Sequence, residues 1–173
     1  MLQHVIDAAD AAGARRNIVV TGFGGEVVRA AIGDSVEYVE QREQLGTGHA
    51  VLQTKDLLAG EHGTIMVLCG DTPLLTAELL ARFHEEHVNA GAKATVLTAI
   101  MPNAKGYGRI VRRESGEVLK IVEHKDASPE EREIHEVNAG IYCFDAQALF
   151  SALAKVTNDN AQGEYYLPDV LSI

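Results

Sequence analysis

From Asn17 to Ile100 the sequence alternates short β-branched runs with segments of helical spacing, and this alternation restricts the possible folds more than any other feature. NIVVT (Asn17–Thr21) reads as a strand and GEVVRAAI (Gly25–Ile32) as a helix. Val36–Gln41 reads as a strand, and a helix follows the loop around Gly46 as far as about Leu58. TIMVLC (Thr64–Cys69) is a continuous apolar run, the kind of strand that is buried on both faces of a parallel sheet. A helix over Ala77–Asn89, ended by Gly91, leads to the strand Ala94–Ile100. Upstream, the apolar spacing of Leu2, Val5, Ile6 and Ala9 gives a helix over Leu2–Ala12, stopped at Gly13.

Beyond Ile100 the pattern changes. Gly108–Arg113 and Val118–Glu123 are strands joined by Glu114-Ser115-Gly116-Glu117, a hairpin signal. Ser128-Pro129-Glu130-Glu131 has the order of a capping box opening a short helix. Val137–Phe144 is a strand, Ala146–Val156 a helix, and Leu167–Ile173 the start of another. The expected class is α/β: three layers, a mixed sheet and a hairpin insert. Both ends read as cut, because the chain opens directly on a helix and stops inside one.

Composition narrows the function classes. Of 173 residues, 46% are hydrophobic and 23% charged, which suits a folded domain with a sizeable core. No apolar run approaches the ~20 residues of a bilayer-spanning helix. A formal net charge of −10 argues against nucleic acid or an anionic membrane as partner, although a divalent cation could still bring a small phosphorylated ligand to an acidic chain. Cys69 and Cys143 sit in apolar runs and read as buried free thiols, consistent with a reducing cytoplasm.

Several motifs invite a chemical reading. GFGG follows a strand and precedes a helix, but Val27 occupies the third glycine position of a dinucleotide fingerprint, so the segment reads as a βα turn. HEEH (His84–His87) has its histidines three apart instead of four and reads as a solvated helix face. In VLCGDTPLL a buried strand ends at Gly70-Asp71, the end at which open α/β sheets bind ligands; Asp71 reads equally as a Mg²⁺ ligand and as a turn or N-cap aspartate. Asn138, an amide entering an apolar strand, needs a hydrogen-bond partner. LGTGHA opens a helix with a glycine loop, in the manner of an anion cradle.

Taken in order, QHVIDAA, EQLGTGHAV, CGDTPLL, GYGRI, IVEHKDA, VNAGIY and NDNAQGEYYLPD resemble the nucleotidyltransferase domain of bacterial N-acetylglucosamine-1-phosphate uridyltransferases. The resemblance covers nearly the whole chain. It implies a Rossmann-like three-layer nucleotide-diphospho-sugar transferase fold with a mixed, mostly parallel sheet. The implied reaction joins UTP and N-acetylglucosamine 1-phosphate to give UDP-N-acetylglucosamine and pyrophosphate, with Mg²⁺, in the cytoplasm and in the service of peptidoglycan synthesis. Carried over by motif, Gln41, Gly46 and Thr47 would read uracil with Gln44 beside them, and Cys69 and Gly70 would line the nucleotide. Asp71 would be the catalytic Mg²⁺ ligand, and Gly108, Glu123 and Asn138 would bind the amino sugar.

The resemblance also implies two gaps. The family's first strand with its G-x-G-T-R-M phosphate loop and downstream lysine has no counterpart here. A second Mg²⁺-binding asparagine and the β-helical acetyltransferase part lie beyond the matched stretch. The expectation is a partial nucleotidyltransferase domain that lacks catalysis when taken alone. The competing classes are a nucleotide-sugar-binding module without chemistry and, more remotely, a nicotinamide-dependent oxidoreductase using GFGG.

Overall fold

A computed structural model describes residues 1–173. In chain order the elements are α1 (Leu2–Ala11), β1 (Ile18–Thr21), α2 (Gly25–Ile32), β2 (Glu37–Glu40), α3 (Thr47–Leu52), β3 (Thr64–Val67), α4 (Ala77–Asn89), β4 (Ala94–Ile100), β5 (Arg109–Arg112), β6 (Val118–Val122), α5 (Pro129–Arg132), β7 (Glu136–Asp145) and α6 (Ala146–Leu153), with a closing 3₁₀ helix over Leu167–Ser172.

The ten-residue β7 organises the fold. It pairs antiparallel with β4 along one side; on the other it pairs with β3 through Tyr142–Asp145 and with β5 at Val137. The β5–β6 hairpin continues the sheet outward, turning at Gly116 with φ +90°. Strand alternation gives the two faces of β7 separate cores. Ile141 and Cys143 face Phe83 of α4, while Tyr142 and Phe144 join Leu149, Leu153, Leu167 and Val170 from α6 and the 3₁₀ helix. Helices on both faces of a sheet make the three layers expected for this α/β class.

Parallel and antiparallel pairing both occur, but in separate sheets, and the balance between them differs from expectation. The one parallel ladder joins β1 to β2 in a separate two-stranded sheet, and every pairing in the five-stranded sheet is antiparallel. The reason is the placement of β7, which runs opposite to β3 and β4 and lies between them. The Thr64–Cys69 run is corrected accordingly. Its regular part is only four residues long and half-buried, pairing with β7 on one edge and bordering a groove on the other.

Three further expectations change. The helix after the LGTG loop ends at Leu52, and Gln53–Gly60 is a series of turns. Cys143 is fully buried and its thiol is pushed up to about 12 by desolvation, but Cys69 is exposed; both are free. His87 of HEEH is buried instead of solvated, its Nδ1 lying 2.7 Å from Thr95 Oγ1, because α4 turns that face onto β4. Local signals held elsewhere. Ser128 and Glu131 form the reciprocal capping box, and Asn138 finds its hydrogen-bond partners.

Candidate active-site groove

The LGTG loop is braced from within and from across the chain. Gln41, 9% exposed, donates from Nε2 to the Gly46 carbonyl at 3.0 Å and lies 3.0 Å from His49 Nδ1. Gln44 donates from its amide to the Gln41 carbonyl and packs over Gly22, where a Cβ would meet Gln44 Nε2 at 2.9 Å. The Gly48 N–H donates to the Tyr165 carbonyl, and the Tyr165 N–H to the Leu45 carbonyl, each at 2.8 Å. The Leu167 N–H donates to Thr47 Oγ1 at 3.0 Å. The two glycines therefore make room for another stretch of backbone. Gly46, at φ +108°, has the Tyr165 carbonyl where a side chain would begin.

The stretch that supplies Tyr165 also ties down the IVEHKDA turn. Lys125 donates to Gln162 Oε1 at 2.6 Å, and the Ala161 N–H donates to Asp126 Oδ1 at 2.8 Å. Gln162 Nε2 donates to the Tyr166 hydroxyl at 2.8 Å. The polar NDNAQGEYYLPD segment thus joins two of the candidate regions into one wall.

Gly108, Glu123 and Asn138 form the second wall. The Asn138 N–H donates to the Gly108 carbonyl, and a Cβ on Gly108 would meet Glu123 Oε1 at 3.1 Å. Burial first, then the charges of Asp126 and Asp169, hold the Glu123 carboxyl above its ordinary range. The register of β7 against β4 slips here, from Val96 opposite Tyr142 to Thr98 opposite Asn138, so β7 bulges around Gly140 at φ +74°. Asn138 stabilises the bulge, donating from Nδ2 to the Tyr142 hydroxyl at 2.6 Å and accepting the Gly140 N–H at 2.9 Å. Burial, then Glu123 and Cys69, hold the Tyr142 hydroxyl far above its ordinary range, so it accepts the Asn138 amide as a neutral hydroxyl. The sequence reading passed over Gly140 and Tyr142; the glycine inside a strand pattern was the available signal.

Cys69 closes the bulge from the opposite side, its thiol donating to the Gly140 carbonyl at 3.5 Å. Desolvation, then Asp71, hold that thiol above its ordinary range. Asp71 itself is exposed just beyond Gly70 and enters no ion pair. No group of three His, Cys, Asp or Glu gathers anywhere in the chain. A lone free carboxylate suits Mg²⁺, which takes most of its remaining ligands from water and substrate phosphates.

A groove of about 1060 Å³ runs between β1 and β3 and brings Thr47, Cys69, Gly70, Glu123 and Asn138 to one lining, with Tyr142 and Gly140. Gln41, Gln44, Gly46, Gly108 and Asp71 lie outside it, the first three in the braced loop. Arg16 precedes β1 and reaches Glu61 and the Leu57 carbonyl ahead of β3, while Leu2 of α1 packs near Gly70 beyond the end of β3. The two strands therefore run the same way along the groove, each with one edge open to it.

A family model described as nucleotidyl transferase matches residues 1–173. The chain is 56% identical over all 173 residues to the bifunctional protein GlmU of Geobacillus thermodenitrificans and to that of Bacillus cytotoxicus, and 54% identical to that of Oceanobacillus iheyensis. It spans 38% of the length of each of these relatives. Among solved structures, a UDP-glucose pyrophosphorylase complexed with UDP-glucose superposes with a TM-score of 0.76 at 18% identity, covering 99% of this chain and 73% of that one. The apo form of a UDP-glucose pyrophosphorylase gives 0.77. At that identity the likeness establishes a shared fold.

Proposed function

Because the chain belongs to the nucleotidyl transferase family, we propose that it is part of a domain transferring uridylyl from UTP to N-acetylglucosamine 1-phosphate, with release of pyrophosphate. The observation that carries this reading is the convergence of Thr47, Cys69, Gly70, Glu123 and Asn138 on one groove. In this reading the Glu123 carboxylate and Asn138 amide hydrogen-bond the sugar's hydroxyls and N-acetyl group, and the Gln41–Gly46 loop faces the uracil. The sugar phosphate oxygen attacks the α-phosphorus in line, so the protein needs to position and to stabilise charge, with no covalent nucleophile. Nucleotidyl transferases generally use a divalent metal, and Mg²⁺ at Asp71 would neutralise phosphate charge when bound. A cytoplasmic setting accords with this chemistry, and no helix is long and apolar enough to cross a membrane.

One observation favours a second reading for the 173 residues alone, a nucleotide-sugar-binding module without turnover. The arginines lining the groove are Arg15 and Arg16, both at the strand starts, and Arg16 is already paired with Glu37 and Glu61. No lysine or arginine of the lining flanks Cys69 and Gly70, where transferred charge needs compensation.

Calorimetric titration with UDP-N-acetylglucosamine, UTP and NAD tests the substrate class, and pyrophosphate release tests turnover. Binding of the nucleotide sugar with no release above background is expected of this chain. Binding of NAD alone would overturn the uridylyl reading, and turnover comparable to a longer relative would overturn the second.

A further inference from the structure

Behind the sugar-facing wall lies a second cavity, of about 280 Å³, with a different electrostatic character. Lys105, Arg109, His124, Arg132 and His135 line it, against the single carboxylate of Glu133. This is a concentration of cations in a chain whose formal net charge is −10.

Arg109 forms its floor. The residue opens β5, and strand alternation turns it to the face opposite Ile110, which packs in the main core. Its side chain is among the largest fully buried ones, and the residue is 2% exposed. One terminal nitrogen donates to the Tyr107 carbonyl and the other to the Arg132 carbonyl at 3.4 Å, while Nε has no partner. No carboxylate pairs with it, since the seven ion pairs of the structure all lie elsewhere. A guanidinium cannot shed its proton, so this is a buried, uncompensated charge, an arrangement that is costly unless an anion answers it.

The rim is arranged to supply donors. The second Arg109 nitrogen lies 3.4 Å from His124 Nδ1. A guanidinium can only donate, so Nδ1 accepts and the proton of neutral His124 sits on Nε2. Desolvation, followed by the charges of Arg109, Arg132 and Lys105, lowers the His124 pKa, as a strongly positive surrounding requires. Lys105 and Arg132 are exposed and free of ion pairs.

We propose that this pocket binds a phosphoryl-bearing small anion, with Arg109 supplying the compensating charge from beneath and Lys105, Arg132 and His124 the hydrogen-bond donors. Its location opposite Gly108 and Glu123 separates it from the groove, so it does not depend on the uridylyl reading.

The test is an NMR titration of the 173-residue chain with inorganic phosphate, against sodium chloride at matched ionic strength. Saturable shifts of the His124 and His135 ring signals are expected, weakened at least tenfold in the exposed double variant Lys105→Ala/Arg132→Ala. That variant keeps its affinity for UDP-N-acetylglucosamine measured in chloride. Equal responses to phosphate and chloride, phosphate affinity unchanged in the double variant, or shifts confined to Gly70 and Asn138 would each overturn the proposal.

Discussion

Gly46 and Tyr165 are in backbone contact: a Cβ on the glycine would stand 2.6 Å from the tyrosine carbonyl oxygen and 2.9 Å from its amide nitrogen. Neither neighbour is a flexible side-chain end that could move aside. At φ +108° an alanine is also strained, a cost of about 1–3 kcal/mol before any clash. Gly46→Ala is expected to destabilise the chain by at least about 2 kcal/mol in urea unfolding and to detach the loop from its partner segment. A change within about 0.5 kcal/mol would show that the loop is not seated on Tyr165.

The Asn138 side chain serves both the Tyr142 hydroxyl and the Gly140 N–H. Its truncation leaves the buried Tyr142 hydroxyl and the half-buried Gly140 N–H unanswered inside the bulge. Asn138→Ala should cost about 1–3 kcal/mol of stability and also weaken binding of the nucleotide sugar. Tyr142→Phe removes a single partner and should cost less; equal losses would mean that Asn138 does not hold the bulge.

The pH dependence of stability has a definite sign. Burial first, then neighbouring acids, raise the folded-state carboxyl pKa of Glu123 and of Asp169. The folded state therefore holds these protons to a higher pH than the unfolded chain. Their contribution is fullest below the ordinary carboxyl range and is lost as pH rises through the raised values. Glu123→Gln removes the charge that faces both Asp126 and Asp169. Its thermal midpoint should gain on the wild type between about pH 4 and pH 7, while affinity for the nucleotide sugar falls. A variant that loses ground over that interval contradicts the assignment.

Asp71 is exposed and unpaired, so Asp71→Asn should leave stability within about 0.5 kcal/mol of wild type. As the proposed Mg²⁺ ligand, it is expected to act on metal-dependent binding instead. The increase in UTP affinity produced by Mg²⁺, followed by calorimetry, should be lost in the variant. An undiminished increase would remove Asp71 from the site.

What was legible in the sequence depended on range. The capping box at Ser128 and the Gly116 hairpin turn are decided by neighbours within a few residues, and both appear where the local pattern put them. The placement of β7 between β3 and β4 is decided by pairing over some 40 to 80 positions, which apolar periodicity does not encode. The parallel bias expected for Thr64–Cys69 gave way for that reason. His87 was misjudged for a related one, because a helix face polar in composition can still carry one buried, hydrogen-bonded ring.

The candidate residues divide in the same manner. Thr47, Cys69, Gly70, Glu123 and Asn138 line one groove, whereas Gln44, Gly46, Gly108 and Asp71 lie outside its lining. Gln41 is different: its side-chain nitrogen is already engaged by Gly46 and His49 and its backbone carbonyl by Gln44, which leaves its side-chain oxygen as the group free for a ligand. Gly140 and the orphaned Arg109 went unnoticed because their importance arises from a register slip and from burial, neither of which any short motif records.

The bond from the Leu167 N–H to Thr47 Oγ1 bridges 120 positions of sequence. During synthesis at about 5–20 residues per second, the LGTG loop would leave the ribosome roughly 6–24 s before the segment it leans on. Until Tyr165 and Leu167 emerge, Gly46 and Gly48 have no surface to pack against, and the wall that the LGTG loop forms with them cannot be completed. The order in which this groove takes shape is thus set by its last backbone contacts.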